Sequence, residues 1–473
     1  MMLKYLKQLG GDSLIYGLST VLTRFIGLLL IPMYTRVFQP ADYGVINLIA
    51  VTFVLIEIFV VFGLDNSVAV WFWDTDDTGD RKKTFSSWIW FQFSLALFIG
   101  VIIVLSSSFM SKLILSSTSY YYIFIIMGCN LPLATSHRFL QNWYKLQRKA
   151  LPTVAFTVSI TLITILLTIF FVVYLRIGVK GVFISQLISS AIGFFVVLIV
   201  MKGWYSISTF KRDRLKPMLK FAIPLIPASI SYWILGGAGS YFVEKFASKT
   251  EVGLYQIGIS FGSIVGVVVT AFQTAFPAFA LSISKSENHK EVYAAVFLLY
   301  IGLGSIAASF IWMFSSELLM LFTQPSYYSA ENVVGILAFN VFVSGIPSII
   351  NIGPNIAKNN KPYGYAIVLS AAICILLYTV LIPWLGKEGA AFTTLCSNIF
   401  VVIYLGIMAE RIYPIPYDWK ITLLSSIGSL LLLGFSKYYF NDSFFSKILF
   451  FLLIMTAIII MIIPKLKSML SKF

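Results

Sequence analysis

The sequence has few cysteines, few histidines and few charged residues, and each scarcity excludes a class of protein. Three cysteines and two histidines in 473 residues, without CxxC or zinc-type spacing, exclude a disulfide scaffold and a metal centre. Only 11% of the residues are charged while 59% are hydrophobic, whereas soluble domains carry about 25% charged residues. A soluble enzyme and a disordered chain are therefore excluded, and an all-α polytopic membrane protein is predicted.

The chain also lacks long polar segments. The longest gap between apolar runs, residues 65–85, is too short for a separate folded domain, so the helices themselves must carry the function. The cysteines Cys129, Cys374 and Cys396 all lie in apolar runs and are predicted to be buried thiols. No metal and no cofactor are expected, while coupling to a proton or sodium gradient stays open.

Apolar runs long enough to cross a bilayer, about 20 residues, occur fourteen times. These predicted spans cover residues 13–35, 43–63, 86–107, 119–140, 153–175, 181–201, 220–243, 251–277, 292–314, 329–356, 363–384, 389–409, 421–436 and 445–464. The thirteenth is short, and the sequence also allows it to start earlier, within 417–420.

Basic residues are distributed unevenly between the two sides of these spans. The gaps on the side of the N-terminus contain 24 of the 34 Lys and Arg residues and the opposite gaps contain 9, while Arg24 lies within the first span. The positive-inside rule makes the richer side cytoplasmic, so both termini are predicted to be cytoplasmic. The net charge of +15 is thereby explained without nucleic acid, which is not expected as a partner.

A two-fold internal repeat predicts two six-span lobes. Asp42-Tyr43-Gly44-Val45 follows span 1, and Glu251-Val252-Gly253-Leu254 follows span 7, 209 residues later. Two further matches share this offset to within one residue and pair Gly178 with Gly386 and Pro152 with Pro362. An even span number per copy gives a parallel repeat, as in some transporters; coincidence of short turn motifs is the alternative. The predicted divisions are 1–210 and 211–410 for the lobes, and 411–473 for an additional helix pair.

The residues around the first span resemble a known family. They are Gly17-Leu18-Ser19, Arg24, Leu30-Ile31-Pro32, Arg36 and Gln39-Pro40-Ala41-Asp42-Tyr43-Gly44. They are similar to bacterial polysaccharide flippases, the O-antigen and capsule repeat-unit translocases of the multidrug/oligosaccharidyl-lipid/polysaccharide exporter superfamily. The fourteen spans and the second copy around Gly253 extend the resemblance over the whole chain.

The resemblance implies two lobes around a central cavity in the bacterial inner membrane. It implies that an undecaprenyl-diphosphate-linked oligosaccharide moves from the cytoplasmic to the outer leaflet by alternating access, with its tail along spans 13 and 14. A polysaccharide polymerase and chain-length proteins would be partners. In one departure, Gly239 stands where many relatives carry an acid, which puts the cation-handling role of that acid in doubt.

Arg24 is the first candidate for contact with a diphosphate. It lies about 16 Å from the cytoplasmic end of span 1 at 1.5 Å per residue. A charge at that depth normally faces a water-filled cavity or a partner, and guanidinium matches phosphate oxygens in a bidentate way. The alternative is a structural pair with Glu57, which is also the candidate coupling or charge-partner residue.

Further candidates lie at the ends and in the interiors of other spans. His137 and Arg138 are predicted at the cytoplasmic end of span 4, either at the entry to the cavity or as headgroup anchors. Asp65 and Asn66 are interpreted as helix-capping or loop residues. The amides Gln273, Asn340 and Asn351 are candidates for binding sugar hydroxyls, or else for joining helices. Hinge candidates interrupt the spans and are expected to allow bending: Pro32, Pro132, Pro224, Pro227, Gly236, Gly237, Pro277 and Pro347.

Two other functions remain open. A drug or cation antiporter of the same superfamily would place acids or aromatic residues in the cavity. A polysaccharide polymerase or ligase would be an enzyme, and such enzymes are expected to carry a substantial outer loop with Arg or His. The short outer gaps contain no His, so a transporter rather than an enzyme is predicted.

Overall fold

The computed structural model describes residues 26–28, 30–439 and 444–470. These residues form helices, turns and loops and contain no β-strand. Eleven segments among them are helical, long and apolar enough to cross a bilayer. The predicted all-α polytopic membrane fold is therefore confirmed.

Twenty α-helices follow one another along the described chain. The first ten are α1 (residues 26–28 and 30–37), α2 (Pro40–Val61), α3 (Leu64–Trp73), α4 (Thr78–Leu105), α5 (Ser107–Leu115), α6 (Tyr121–Leu146), α7 (Ala150–Thr168), α8 (Val179–Val200), α9 (Arg212–Ala222) and α10 (Ile226–Gly236). The others are α11 (Gly239–Phe246), α12 (Lys249–Gly262), α13 (Gly266–Ser282), α14 (His289–Met313), α15 (Ser315–Phe322), α16 (Glu331–Ile350), α17 (Ile352–Ile356), α18 (Lys361–Ile412), α19 (Trp419–Tyr439) and α20 (Phe444–Leu470).

The predicted count of fourteen spans is compatible with these helices. Predicted spans 2 to 10 each coincide with one long apolar segment. Spans 11 and 12 both lie in the 52-residue α18, which kinks at Gly386 because that residue has φ 56° and ψ −131°. The thirteenth begins at Trp419, within the earlier start that the sequence allowed. Most of span 1 lies outside the described residues.

The chain forms two compact units. The first contains Val45–Trp233 and the described residues up to Phe38; the second contains Gln39–Gly44 and the described part of Ile234–Phe473. The chain enters the second unit briefly at Gln39–Gly44 and passes to it for good within α10. The lobe limits of 1–210 and 211–410 stay predictions, as does the separate helix pair.

Aromatic side chains form much of the core at one end of the first unit. Trp88 of α4 is fully buried, and its ring packs edge-on against Phe85 and Phe139 at centroid distances of 5.2 and 5.1 Å. The amphipathic α9 adds Leu215, Met218 and Ala222 to this unit's interior, because residues three and four apart share one helix face.

Small residues let the helices of the second unit approach closely, as is usual between membrane helices. Gly44 and Gly253 give the clearest case, and both belong to this unit. A Cβ at Gly44 would lie 2.1 Å from the Lys249 carbonyl oxygen, and one at Gly253 would lie 1.8 Å from that of Pro40. Since each glycine faces the residue four positions before the other, the repeat motifs pack against each other at matching positions.

The prediction of three buried thiols was wrong for two of them. Cys374 is buried, whereas Cys129 and Cys396 are exposed on the protein. An apolar run does not imply a protein interior here, because lipid chains are as apolar as the core and accept the same side chains.

Candidate functional site

The site is built around Arg138, since Arg24 lies outside the described residues. Arg138 belongs to α6 and comes close to two acids of the same unit, Glu57 on α2 and Asp65 on α3. We call these three residues the Arg138 cluster.

A break between α2 and α3 positions the two acids. Phe62 and Gly63 both have positive φ, 55° and 67°, so the helix stops and restarts at Leu64. A Cβ at Gly63 would also lie 3.0 Å from the Ala222 carbonyl oxygen, so glycine meets both the turn and the close approach. Asp65 consequently lies in the first turn of a new helix, where the helix dipole stabilises a negatively charged side chain.

The three side chains form an open charged cluster. Arg138 donates from Nη2 and Nε to Asp65 Oδ2 at 2.8 and 3.3 Å, and its Nη1 lies 3.9 Å from Glu57 Oε2. The side chains of Arg138 and Glu57 are 39% and 42% exposed. Of the five guanidinium N–H donors, two bind Asp65, so the cluster keeps donors for an anion.

The structure corrects the interpretation of Asp65 as a capping or loop residue, since Asp65 lies within the first turn of α3. The residue at the cap of α3 is Gly63, and no side chain caps this helix. Asp65 Oδ2 instead binds Arg138, while Oδ1 is buried without a hydrogen-bond partner among the described residues. An unsatisfied buried carboxylate oxygen is costly, so a water molecule or a ligand group is expected there.

His137 is not part of the cluster, although it precedes Arg138 in sequence. Its Nε2 lies 3.1 Å from the Ser190 carbonyl oxygen, and its ring packs edge-on against Phe156. A Cβ at Gly193 would lie 2.2 Å from that same nitrogen. The histidine therefore fills a close contact between α6 and α8, and its predicted binding role is untested.

The three amide candidates are dispersed over the second unit. Asn340 Oδ1 accepts a 2.8 Å hydrogen bond from Asn398 Nδ2, a partner that sequence reasoning missed. Asn351 is buried beside Asn360, 3.4 Å away, with its own Oδ1 unpartnered among the described atoms. Gln273 is exposed on α13. The Asn340 pair fits the alternative role of joining helices.

The hinge candidates divide into two groups. Pro224 lies in a 3₁₀ turn, Ile223–Leu225, with Pro227 in the next helical turn. Gly236 ends α10 and Gly237 lies in the break before α11, while Pro347 precedes the end of α16 by three residues. In contrast, Pro132 and Pro277 lie inside uninterrupted helices, as does Pro32 within the helical residues 30–37. The first group has the helix breaks that a hinge requires.

The position of the missing acid is filled by other side chains. A Cβ at Gly239 would lie 2.9 Å from Tyr378 Oη and 3.1 Å from Tyr255 Oη. A carboxylate side chain would therefore displace both hydroxyls. This packing agrees with the doubt about a cation-handling role at Gly239.

Two ion pairs with buried lysines in the second unit escaped the sequence analysis. Lys387 Nζ lies 3.1 Å from Glu251 Oε2, and Lys447 Nζ lies 2.9 Å from Glu317 Oε1. A signal for the first pair was present, since Glu251 and Lys387 both belong to the repeated motifs. Their separation by 136 residues concealed that they meet.

Comparison with solved structures defines the class. The chain is similar to a structure of lipid II flippase MurJ in an inward closed conformation, with a TM-score of 0.74 and 18% identity, covering 94% of this chain and 98% of that one. For an inward-facing multidrug resistance MATE family transporter of the MOP superfamily, the TM-score is 0.67 and the identity 13%, with 82% of this chain and 94% of that one covered. For a mutant of the Vibrio cholerae MATE transporter VcmN, the TM-score is 0.60 and the identity 14%, with 86% of this chain and 96% of that one covered. The chain therefore shares its fold with these three transporters.

A family model then gives the particular family. The model described as polysaccharide biosynthesis protein matches residues 33–293, more than half of the chain. The chain belongs to this polysaccharide biosynthesis protein family, which confirms the resemblance found in the sequence. No curated protein sequence matches the chain significantly.

Proposed function

We propose that the protein is a flippase for lipid-linked oligosaccharides. It moves undecaprenyl-diphosphate-linked repeat units from the cytoplasmic to the outer leaflet of a bacterial inner membrane by alternating access, for O-antigen, capsule or exopolysaccharide synthesis. Membership of the polysaccharide biosynthesis family supports this proposal, as does a fold shared with a protein named as a lipid II flippase. A polymerase and chain-length proteins would receive the product.

The Arg138 cluster carries the proposal at the level of residues. A substrate with a diphosphate presents anionic oxygens, and a guanidinium group binds such oxygens in a bidentate way. The Arg138 side chain is 39% exposed and already oriented by Asp65, so it need not be freed from a dry contact before binding. Arg24 would supply a second guanidinium group.

Glu57 is the proposed coupling residue. Its carboxylate lies 3.9 Å from Arg138 Nη1, so it competes with a diphosphate for the same guanidinium group. Protonation of Glu57 would remove that competition, so proton binding and diphosphate binding are linked at this site. Coupling to a proton gradient follows if the protein carries the substrate outward and returns with a proton taken up from outside. Gln273, Asn340 and Asn351 are proposed to contact the sugar.

A drug or cation antiporter is the second candidate, because the fold is also shared with multidrug MATE transporters. That function would depend on the acid rather than on the arginine. Glu57→Gln would then abolish drug resistance, while Arg138→Gln would leave it intact. A polymerase or ligase, the third candidate, would leave unpolymerised intermediate in the outer leaflet when the gene is deleted.

The test is leaflet assignment of lipid-linked intermediates in a deletion strain complemented with variants. The deletion should accumulate intermediate in the cytoplasmic leaflet, and wild type should restore export. Arg138→Gln and Arg24→Ala should not restore it, whereas Arg411→Gln, which changes an exposed arginine of the second unit, should. Intermediate already outside in the deletion strain would contradict flipping, and export at the wild-type rate by Arg138→Gln would contradict the site.

A further inference from the structure

An apolar groove opens between three helices of the first unit. Its walls come from α4, α6 and α8, its volume is about 150 Å³ and no polar atom is exposed inside it. Phe93 of α4 and Phe194 of α8 stack on one wall, with ring centroids 6.0 Å apart. We call this space the α4–α6–α8 groove.

The polar side chains that line the groove all donate hydrogen bonds to backbone carbonyl oxygens. Trp90 Nε1 donates to the Tyr205 carbonyl oxygen at 2.9 Å, and Tyr205 Oη donates to that of Leu198 at 3.0 Å. The Ser136 hydroxyl donates to the Leu133 carbonyl oxygen. Since water needs polar partners, the groove favours apolar groups over water.

One end of the groove is bordered by a basic loop. Met201 and Tyr205 line the groove, and Lys202 between them is exposed. The loop is fixed to α4, because Ser86 Oγ donates to the Ser206 carbonyl oxygen at 2.6 Å and Lys211 N donates to Ser87 Oγ at 2.8 Å. Lys202 is thus held beside the mouth of the groove, and Lys211 is fixed at the other end of the same loop.

The charge at this end is strongly positive. Residues 202–220 contain six Lys and Arg residues and one acid, Asp213. The nearby Asp80 of α4 is already bound to Lys83 and Arg214, at 2.9 and 2.8 Å. Lys202 and Lys211 are exposed and make no side-chain ion pair among the described residues, so an anionic group can approach them.

We propose that the α4–α6–α8 groove binds one acyl chain of an anionic membrane phospholipid, whose phosphate contacts Lys202 and Lys211. A dry groove that ends at a basic loop complements an amphiphile with an apolar chain and an anionic head, and basic pockets between membrane helices bind such headgroups. Bound lipid would fix the loop between α8 and α9. This proposal does not rest on flippase activity.

Native mass spectrometry of the full-length protein, with equal amounts of phosphatidylglycerol and phosphatidylcholine, tests the proposal. Wild type should retain phosphatidylglycerol preferentially. The double variant Lys202→Gln/Lys211→Gln should weaken retention about 25-fold, because each lysine near an anionic surface contributes about fivefold. Lys285→Gln, which removes an exposed lysine of the second unit, is the matched control and should change nothing.

Filling the groove provides a second test. Leu198→Trp places an indole inside it and should abolish retention of phosphatidylglycerol. Ile199→Trp is the control, because Ile199 is the next residue on the same helix and its side chain is 75% exposed and lies outside the groove. If Leu198→Trp does not fold, the lysine variant still decides.

Three results would overturn the proposal. Equal retention of the two phospholipids would contradict the contact between the headgroup and the lysines. Unchanged retention in Leu198→Trp would contradict binding of the acyl chain in the groove. Displacement of phosphatidylglycerol by an equal amount of undecaprenyl phosphate, sensitive to the same variants, would make a prenyl carrier the occupant.

Discussion

The Arg138 cluster of the first unit and two ion pairs of the second unit differ in how far their basic side chains are exposed. In the first unit, Arg138 and Glu57 lie near each other with side chains 39% and 42% exposed. In the second unit, Lys387 and Lys447 are only 10% and 11% exposed, and they bind Glu251 and Glu317, which are 27% and 30% exposed. An exposed pair contributes little to stability and can exchange partners. A buried pair depends on both members, because either charge alone is costly. The first arrangement suits binding and the second suits a fixed scaffold.

The largest effect on stability is expected from breaking a buried pair. Glu251→Gln should lower the free energy of unfolding by about 3 kcal/mol, because breaking a buried pair leaves the remaining charge unpaired. Glu388, 3.7 Å from Lys387, compensates only in part. Chemical denaturation in detergent measures the loss, with the exposed Glu287→Gln as control. Equal stability of both variants would show that the two units do not differ in this way.

The next effect concerns the glycines that face each other in the repeat. Gly253→Ala should cost about 1–3 kcal/mol, the usual price of overpacking, because the added Cβ overlaps the Pro40 carbonyl oxygen. Gly364→Ala is the matched control: a Cβ there has no neighbour within 4 Å, so the variant should gain up to about 1 kcal/mol of helix propensity. Denaturation curves that show Gly364→Ala to be less stable than Gly253→Ala would rule out the close contact between the Gly44 and Gly253 motifs.

A smaller effect is expected at the start of α19. Burial of the Asp418 carboxyl raises its pKa, but the Ile421 N–H and the Lys465 ammonium group outweigh burial and hold the pKa below its usual range. The carboxylate form therefore stabilises the folded state above about pH 4, and this stabilisation is lost as the pH falls further.

Two variants of Asp418 separate its cap from its charge. Asp418→Ala should cost about 1 kcal/mol at neutral pH, the usual value of a helix cap. Asp418→Asn keeps a capping side chain but should lose the acid-dependent part of stability. Thermal unfolding of both variants between pH 7 and pH 3 is the measurement, and an unchanged pH profile in Asp418→Asn would contradict the assignment to this carboxyl.

The smallest effect on stability is expected at Arg138. Arg138→Gln should cost less than about 1 kcal/mol, because the pair with Asp65 is partly exposed. Oligosaccharide export should nevertheless fall at least tenfold, and Arg138→Lys should restore it only in part, because lysine lacks the planar fork. Export assays and denaturation on the same preparations test this. A loss of stability as large as that of Glu251→Gln would place Arg138 among the scaffold pairs.

The sequence by itself determined the class of protein, the family and nearly all of the helix positions. Fourteen apolar runs, uneven basic charge and a repeat at a constant offset each depend on local composition. The length needed to cross a bilayer turns such composition into helices. The repeat also identified Gly44 and Gly253 as equivalent before their contact was visible.

Only the tertiary structure decided which side chains meet. Arg138 and Asp65 are 73 residues apart, so no local pattern could show that α3 brings the aspartate to the arginine. For the same reason, the sequence could not show that His137 and Arg138 have different surroundings. Nor could it show that tyrosine side chains fill the space at Gly239 or that two cysteines are exposed. Helix formation depends on residues that are near in sequence, whereas an ion pair or a packed cavity depends on the rotation and approach of whole helices. That rotation is fixed by contacts summed over the entire unit.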